Sequence, residues 1–165
     1  MRHAIIVVLL APLLAAPPST RAQGVPDFSG SWSLSPGSVV RERNLAAGEV
    51  GTMSAPMGHL KITQTGGLLA LSGGRLTAVY RLDGTPTKNQ FKMGDKLMPA
   101  TGRARWEGGR LFLTSGLDGA HDQRQSTIIL SFDERGNMVV ESRTAGPGTN
   151  LGFKSLFTKE VAALP

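Results

Sequence analysis

The sequence predicts an all-β fold, an antiparallel up-and-down meander that closes into a barrel of about 8–10 strands. Three observations carry this reading. Alternation of apolar and polar residues with a period of two dominates from residue 28 onward, and helical periodicity is nearly absent. Glycine-containing turn signals interrupt the alternating runs at short, regular spacing. Runs joined in sequence by tight turns make a meander, and closure removes its two exposed edges. A two-sheet sandwich is the competing arrangement.

The elements follow in order. Phe28, Gly30, Trp32 and Leu34 alternate with four serines in the first run, 28–35. After a long gap come runs at 60–65, 68–72, 76–82, 87–93, 101–107, 110–115, 125–133, 138–144 and 152–159. Leu76, Ala78, Tyr80 and Leu82 share one face, with Thr77, Val79 and Arg81 on the other. Ser126, Ile128, Leu130 and Phe132 alternate in the same way with Gln125, Thr127, Ile129 and Ser131. Gly66-Gly67, Gly73-Gly74, Asp83-Gly84, Gly94-Asp95, Gly108-Gly109 and Gly136-Asn137 supply the turns, because each tolerates positive φ. The 36–58 segment is out of scale, and a connection of that length in a small domain serves as a lid or another functional loop. Within it, Ser38 is placed to cap a short helix through Val39, Val40, Arg41, Glu42 and Leu45, ending near Gly48. Residues 116–124 and 145–151 read as irregular connections.

Ahead of the barrel, residues 1–22 have the layout of a secretory signal. Arg2 and His3 open it, an apolar stretch from Ala4 to Ala16 follows, and Thr20-Arg21-Ala22 fits a cut before Gln23. The apolar stretch is shorter than the ~20 residues a membrane span needs. Cleavage leaves residues 23–165 as a single domain, periplasmic or extracellular, large enough to be stable without staples. Cysteine is absent, which removes thiol catalysis, thiolate zinc sites and iron–sulfur clusters. The signal carries Arg2 and Arg21 but no acid, so the mature net charge falls from +6 to +4. That modest excess favours anionic surfaces without implying nucleic acid.

The segment Asp27-Phe28-Ser29-Gly30-Ser31-Trp32-Ser33-Leu34 resembles the opening strand of the calycin superfamily, the lipocalins and fatty-acid-binding proteins. Those folds begin with a G-x-W strand followed by a long lid. The chain is also similar to exported bacterial proteins that open D-F-S-G-[ST]-W and carry a later strand like Arg105-Trp106-Glu107-Gly108-Gly109-Arg110-Leu111. The resemblance implies a ligand-binding barrel. It does not imply fatty-acid specificity, because the final strand reads Phe153-Lys154-Ser155-Leu156-Phe157-Thr158 where those proteins carry an inward R-x-Y. The lipocalins' T-D-Y-like turn and C-terminal helix are likewise absent from the sequence.

Chemistry-bearing residues are sparse. His59 and His121 lie on separate loops, and Asp118 with Asp122 is the only acidic pair in a loop long enough for hydrolysis. Gly146-Pro147-Gly148-Thr149-Asn150-Leu151-Gly152 lacks the lysine and following helix of a phosphate loop. Neither catalytic, metal nor cofactor residues are therefore expected. Lys88, Lys92, Lys96, Arg103, Arg105 and Arg110 gather on neighbouring outward faces, but aromatics interleaved for base stacking are lacking, which argues against single-stranded nucleic acid.

The expected inward set is Trp32, Leu60, Ile62, Leu76, Tyr80, Phe91, Met93, Trp106, Leu111, Ile128, Leu130, Phe132 and Val140, with Gly30, Ala78 and Ala104 as small residues and no charge among them. An empty pocket of ~300 Å³ would cost about 7 kcal/mol, comparable with a domain's whole net stability. Only a strand number that enforces a cavity sustains one, and ten strands leave more room than eight. The sequence thus leads to an exported, non-enzymatic binding barrel for a small apolar or amphipathic molecule. Trp32, Tyr80, Phe91, Ala104, Trp106 and Phe132 are its candidate ligand-contacting residues, with Trp32 closing one end and 36–58 covering the other. The alternative is an exported protein-interaction module, an inhibitor or envelope-associated barrel, with a solid core and a basic outer face.

Overall fold

Paired glycines set the hairpins. Gly66 and Gly67 have φ of 55° and 78°, and Gly108 and Gly109 have 52° and 79°, the doubly positive conformation that matches the twist of two-residue hairpins. The computed structural model describes residues 25–43, 58–74, 76–93, 95–119, 125–146 and 149–161. Its strands are β1 (Gly30–Leu34), β2 (Val40–Arg43), β3 (His59–Thr65), β4 (Leu68–Gly73), β5 (Leu76–Arg81), β6 (Thr87–Met93), β7 (Lys96–Glu107), β8 (Arg110–Leu117), β9 (Gln125–Phe132), β10 (Met138–Gly146) and β11 (Thr149–Lys159). All pairings are antiparallel, in the order β5-β4-β3-β1-β11-β10-β9-β8-β7-β6, with β2 on the edge of β11. This is the expected meander, a nearly closed barrel of ten strands plus β2.

The ladder stops between β5 and β6, and side chains bridge the seam. Val79 N–H donates to the Asn89 side-chain oxygen, the Asn89 amide donates back to the Val79 carbonyl, and Arg81 N–H donates to the Thr87 hydroxyl. Asn89 is opposite Ala100 on the inward phase of its strand. Gly102 leaves room for it: a Cβ there would lie 2.8 Å from the Asn89 amide nitrogen and 2.9 Å from Tyr80 Cε1.

One end of the barrel is plugged. Phe28, fully buried, stacks on Phe132 at 4.8 Å and on Trp106 at 6.1 Å, and Trp32 tilts against Phe132 at 5.9 Å. Trp32 Nε1 donates to the Phe28 carbonyl at 3.0 Å, so the polar atom of the largest core side chain is satisfied. Gln64 holds the entering chain, accepting from Phe28 N–H and donating to the Pro26 carbonyl. Lys159 lies opposite Trp32 with its ammonium 5.4 Å from the indole, so a charge does stand on the inward phase at this rim. Both Phe28 and Lys159 belong to this end, which places the entry and exit of the described chain side by side. Below the plug the inner face packs Leu60, Ile62, Leu69, Leu71, Leu111, Leu113 and Leu130, each at most 2% exposed. Burying each such side chain stabilises the fold by about 1.5–3 kcal/mol.

Several boundaries differ from the sequence reading. No helix starts at Ser38. Val40–Arg43 is strand, paired with Leu151–Lys154, and β1 and β2 form one interrupted strand along β11. Ser38 mends the interruption instead: its hydroxyl donates to the Ser35 carbonyl at 2.7 Å and accepts Leu156 N–H at 3.2 Å. β11's free edge, a long-range partner, outweighed the local capping signal. The 36–43 part of the expected lid is therefore wall, and 44–57 lies outside the described residues, as do the signal segment 1–22 and its cut site. β7 begins at Lys96, five residues before the expected 101, and runs through Pro99. The proline is tolerated because its missing N–H faces β8 beyond the last rung, Ala100↔Leu117. The 145–151 stretch is a tight hairpin, since Gly146 pairs directly with Thr149.

Candidate functional site

Barrel register assigns each residue to the inside or the outside, and burial then reports where the inside is full. An inward-facing residue gains exposure only from water within the barrel or at its mouth. Through the middle the inward residues are buried, among them Trp32, Leu69, Ala78, Tyr80, Ala104, Leu113 and Phe157, while at the rim of the plug Trp106 and Phe132 stay partly exposed. Toward the opposite mouth the pattern changes. Leu76, Phe91, Met98, Leu117, Ile128 and Phe153 point inward by register yet are only half-buried. Ser142 is half-buried between Ile128 and Phe153 on one rung. Seven consecutive strands, β5 to β11, thus each contribute one partly exposed inward side chain.

The boundary between the full and the open half is polar. Tyr80 lies across Gly102 and its hydroxyl meets the Ser115 hydroxyl at 2.8 Å, both side chains buried. Burial pushes the Tyr80 phenol above its ordinary value, and the Ser115 hydrogen bond pulls the other way. The phenol is therefore a neutral hydrogen-bonding group at any ordinary pH. Ser155 is buried on the inward phase too, opposite Val140.

The six candidate ligand-contacting residues are spread along the barrel. Trp32, Trp106 and Phe132 converge on Phe28 in the plug. Tyr80 and Ala104 lie in the filled middle, at 1% and 3% exposure. Phe91 alone stands at the open mouth, opposite Met98. Eight residues of β7 separate Met98 from Trp106, about 26 Å of strand. The sequence reading did not single out Met98, Leu117, Ser142 or Phe153 for this mouth. Their inward phase was readable once the strands were extended, but burial was not.

Other candidate chemistry resolves into structure. Ser33, His59 and Glu160 meet at the surface, where the Ser33 hydroxyl donates to Glu160 Oε1 and His59 Nδ1 lies 2.9 Å from the same oxygen. His59 Nδ1 is also 3.2 Å from the Ser33 hydroxyl, so the three groups form one exposed hydrogen-bonded cluster. The Ser33 and His59 contacts hold the Glu160 carboxyl below the usual range. Asp118 accepts from Lys88 at 2.8 Å and from the Thr101 hydroxyl at 2.7 Å, and these contacts keep its pKa low. His121 and Asp122 lie outside the described residues. Among the described residues no three His, Asp or Glu side chains converge as a metal site, and no helix is long and apolar enough to cross a membrane.

Comparison with known proteins adds no family: the chain matches no protein-family model and no curated protein. The site therefore stands on its own geometry.

Half of the basic face is paired. Lys88 engages Asp118, Arg105 engages Glu107 at 2.8 Å, and Arg110 engages Glu141 at 2.8 Å. Sequence reasoning missed an apolar feature beneath it. Phe112 and Ile129 face each other on the outward phase, and Ile129 is only 2% exposed. Their signal was legible as two large apolar residues out of phase with their strands.

Proposed function

We propose that the protein is an exported, non-enzymatic binding barrel that takes a small apolar or amphipathic molecule through the mouth opposite the aromatic plug. The observation that carries this reading is the contrast in burial along the inner face: full burial through the middle, at Trp32, Leu69, Tyr80, Leu113 and Leu130, and half-burial at Leu76, Phe91, Ile128 and Phe153 toward the mouth. A ligand's apolar part would cover these four side chains, and its polar group would meet Ser142 and the hydroxyls of Tyr80 and Ser115. Confining the cavity to one half limits its cost to the native state, since the plugged half keeps its packing contacts. The outer face carries Lys61, Arg81, Lys88, Lys92, Arg103 and Arg105, all exposed, which fits a barrel surrounded by water. The signal segment and the resemblance of the opening strand support export and ligand carriage.

The neutral fluorophore N-phenyl-1-naphthylamine tests the reading. Saturable binding is expected in the wild type, with loss in Phe91→Trp and Ile128→Trp at nearly unchanged melting temperature. Ala104→Trp serves as the contrast: Ala104 is buried in the filled half, so enlargement there lowers the melting temperature by overpacking. Absence of saturable binding, together with lowered melting in all three variants, would return the barrel to the solid-core interaction reading.

A further inference from the structure

A second site lies outside the barrel and does not depend on the interior reading. β6 pairs with β7 only as far as Thr87↔Gly102, whereas β7 continues to Glu107. Beyond Gly102 that edge of β7 has the Leu82–Gly84 turn for a neighbour in place of a strand. A Cβ on Gly84 would sit 3.4 Å from the Ala104 carbonyl oxygen, so that carbonyl faces the turn and not β8. Backbone groups alternate sides along an antiparallel strand, so Trp106 also turns its N–H and C=O toward this gap. Between turn and strand opens a cleft of about 530 Å³, lined by Leu82, Gly84, Arg103, Arg105, Phe112 and Thr114. Its volume falls within the range of small-molecule sites.

The lining is apolar at its sides and cationic at its rim. Phe112 is held between two guanidinium groups, Arg105 at 4.8 Å and Arg110 at 5.4 Å from the ring centre. Glu107 and Glu141 neutralise those two arginines and fix them in place. Arg103 is different. It shares the outward face with Arg105 and sits opposite Thr114, and among the described residues no carboxylate lies within pairing distance of it. Asp83 is the carboxylate in the lining, and its oxygens are turned into its own loop. One accepts from Thr85 N–H at 2.9 Å and the Thr85 hydroxyl at 2.7 Å, and the other faces Arg81 at 3.5 Å.

We propose that this cleft binds a small organic anion, a carboxylate or sulfonate carried on a flat apolar body. Arg103 holds the anionic group, and the edge N–H of Trp106 supplies a further donor, while the Thr114 hydroxyl, which donates to the Arg103 carbonyl at 3.4 Å, lines the cleft beside them. The Phe112–Arg105 stack and Leu82 form the walls for the flat body. A guanidinium left unpaired beside a fixed aromatic platform is suited to that combination, because the anion supplies the partner Arg103 lacks.

The probe is 8-anilinonaphthalene-1-sulfonate, with binding followed by fluorescence alongside thermal melting. Saturable binding to the wild type is expected. Arg103→Glu and the near-isosteric Arg103→Gln each weaken it by about tenfold or more, the usual effect of losing a charge-assisted hydrogen bond, with melting unchanged. Lys92→Glu, on the neighbouring outer strand but outside the cleft, leaves affinity unchanged. Equal weakening by Lys92→Glu would show a diffuse charge effect and overturn the site. Loss in Phe91→Trp with Arg103→Glu unaffected would place the anion inside the barrel and overturn it as well. Binding of a hexaglutamate peptide with no binding of the sulfonate would assign the face to an acidic protein partner instead.

Discussion

The side-chain amide of Asn89 takes both backbone groups of Val79, accepting its N–H at 2.8 Å and donating to its carbonyl at 3.0 Å. One side chain thus does the work of a peptide group in the ladder and carries the sheet across the place where strand pairing stops. Asn89→Ala would leave two part-buried backbone groups unpaired, and the expected destabilisation is about 1–3 kcal/mol. Urea denaturation would measure it, and hydrogen exchange at the Val79 amide should quicken by more than at Leu69. An unchanged midpoint would mean that the seam holds without the amide.

Trp32→Ala removes the largest buried side chain and strips the Phe28 carbonyl of its hydrogen bond. The expected loss is about 3–5 kcal/mol, with a smaller loss for Trp32→Phe, which keeps most of the ring. A shifted urea midpoint at constant slope is the measurement.

Tyr80 and Ser115 should behave as a coupled pair. Tyr80→Phe leaves the Ser115 hydroxyl buried without its partner, at an expected cost of about 1–2 kcal/mol. Ser115→Ala leaves the phenol in the same position. The double variant is expected to cost less than the two single changes together, and a double-mutant cycle reads the difference. Additive losses would show that the two hydroxyls do not interact. Gly102→Ala is expected to destabilise too, by about 1–3 kcal/mol, because its Cβ would meet the Tyr80 ring and the Asn89 amide.

Acid should loosen the structure through its surface carboxylates. Hydrogen bonds from Ser33 and His59 lower the pKa of Glu160, those from Lys88 and Thr101 lower that of Asp118, and those from Asn137 and Arg135 lower that of Asp133. A carboxyl whose folded pKa is depressed contributes stability that is fully present above its unfolded value, about 4, and is lost as pH falls through the folded value. Melting temperature is expected to fall progressively below pH ~4, and Asp133→Asn and Glu160→Gln should each flatten that limb. An acid limb unchanged in both variants would show that these carboxylates do not set it.

Much of the barrel was legible because its causes are local. Alternation fixed which residues face inward, and the Gly66-Gly67 and Gly108-Gly109 pairs marked hairpins that the chain makes. β2 was not legible. Val39-Val40-Arg41-Glu42 has no period of two, and what makes it strand is the spare edge of β11, more than a hundred residues away. Phe28 read as the first residue of a strand, whereas it folds over the barrel end as a plug, held by the distant Gln64. The half-buried inward rim was least accessible of all. Leu76 and Leu69 are equivalent in sequence pattern, and only the three-dimensional distribution of volume makes one half-exposed and the other buried.

The adjacency of Phe28 and Lys159 has a practical reach. Glu160 N–H donates to the Ser31 carbonyl at 2.8 Å, so the start and finish of the folded wall are fastened together at one pole. Anything tethered at either terminus, whether a linker, a fused domain or a solid support, would hold the molecule by its plugged pole and present the mouth outward. Joining the two ends with a short peptide and reopening the chain at the Gly108-Gly109 hairpin would likewise leave every inward-facing side chain in its place.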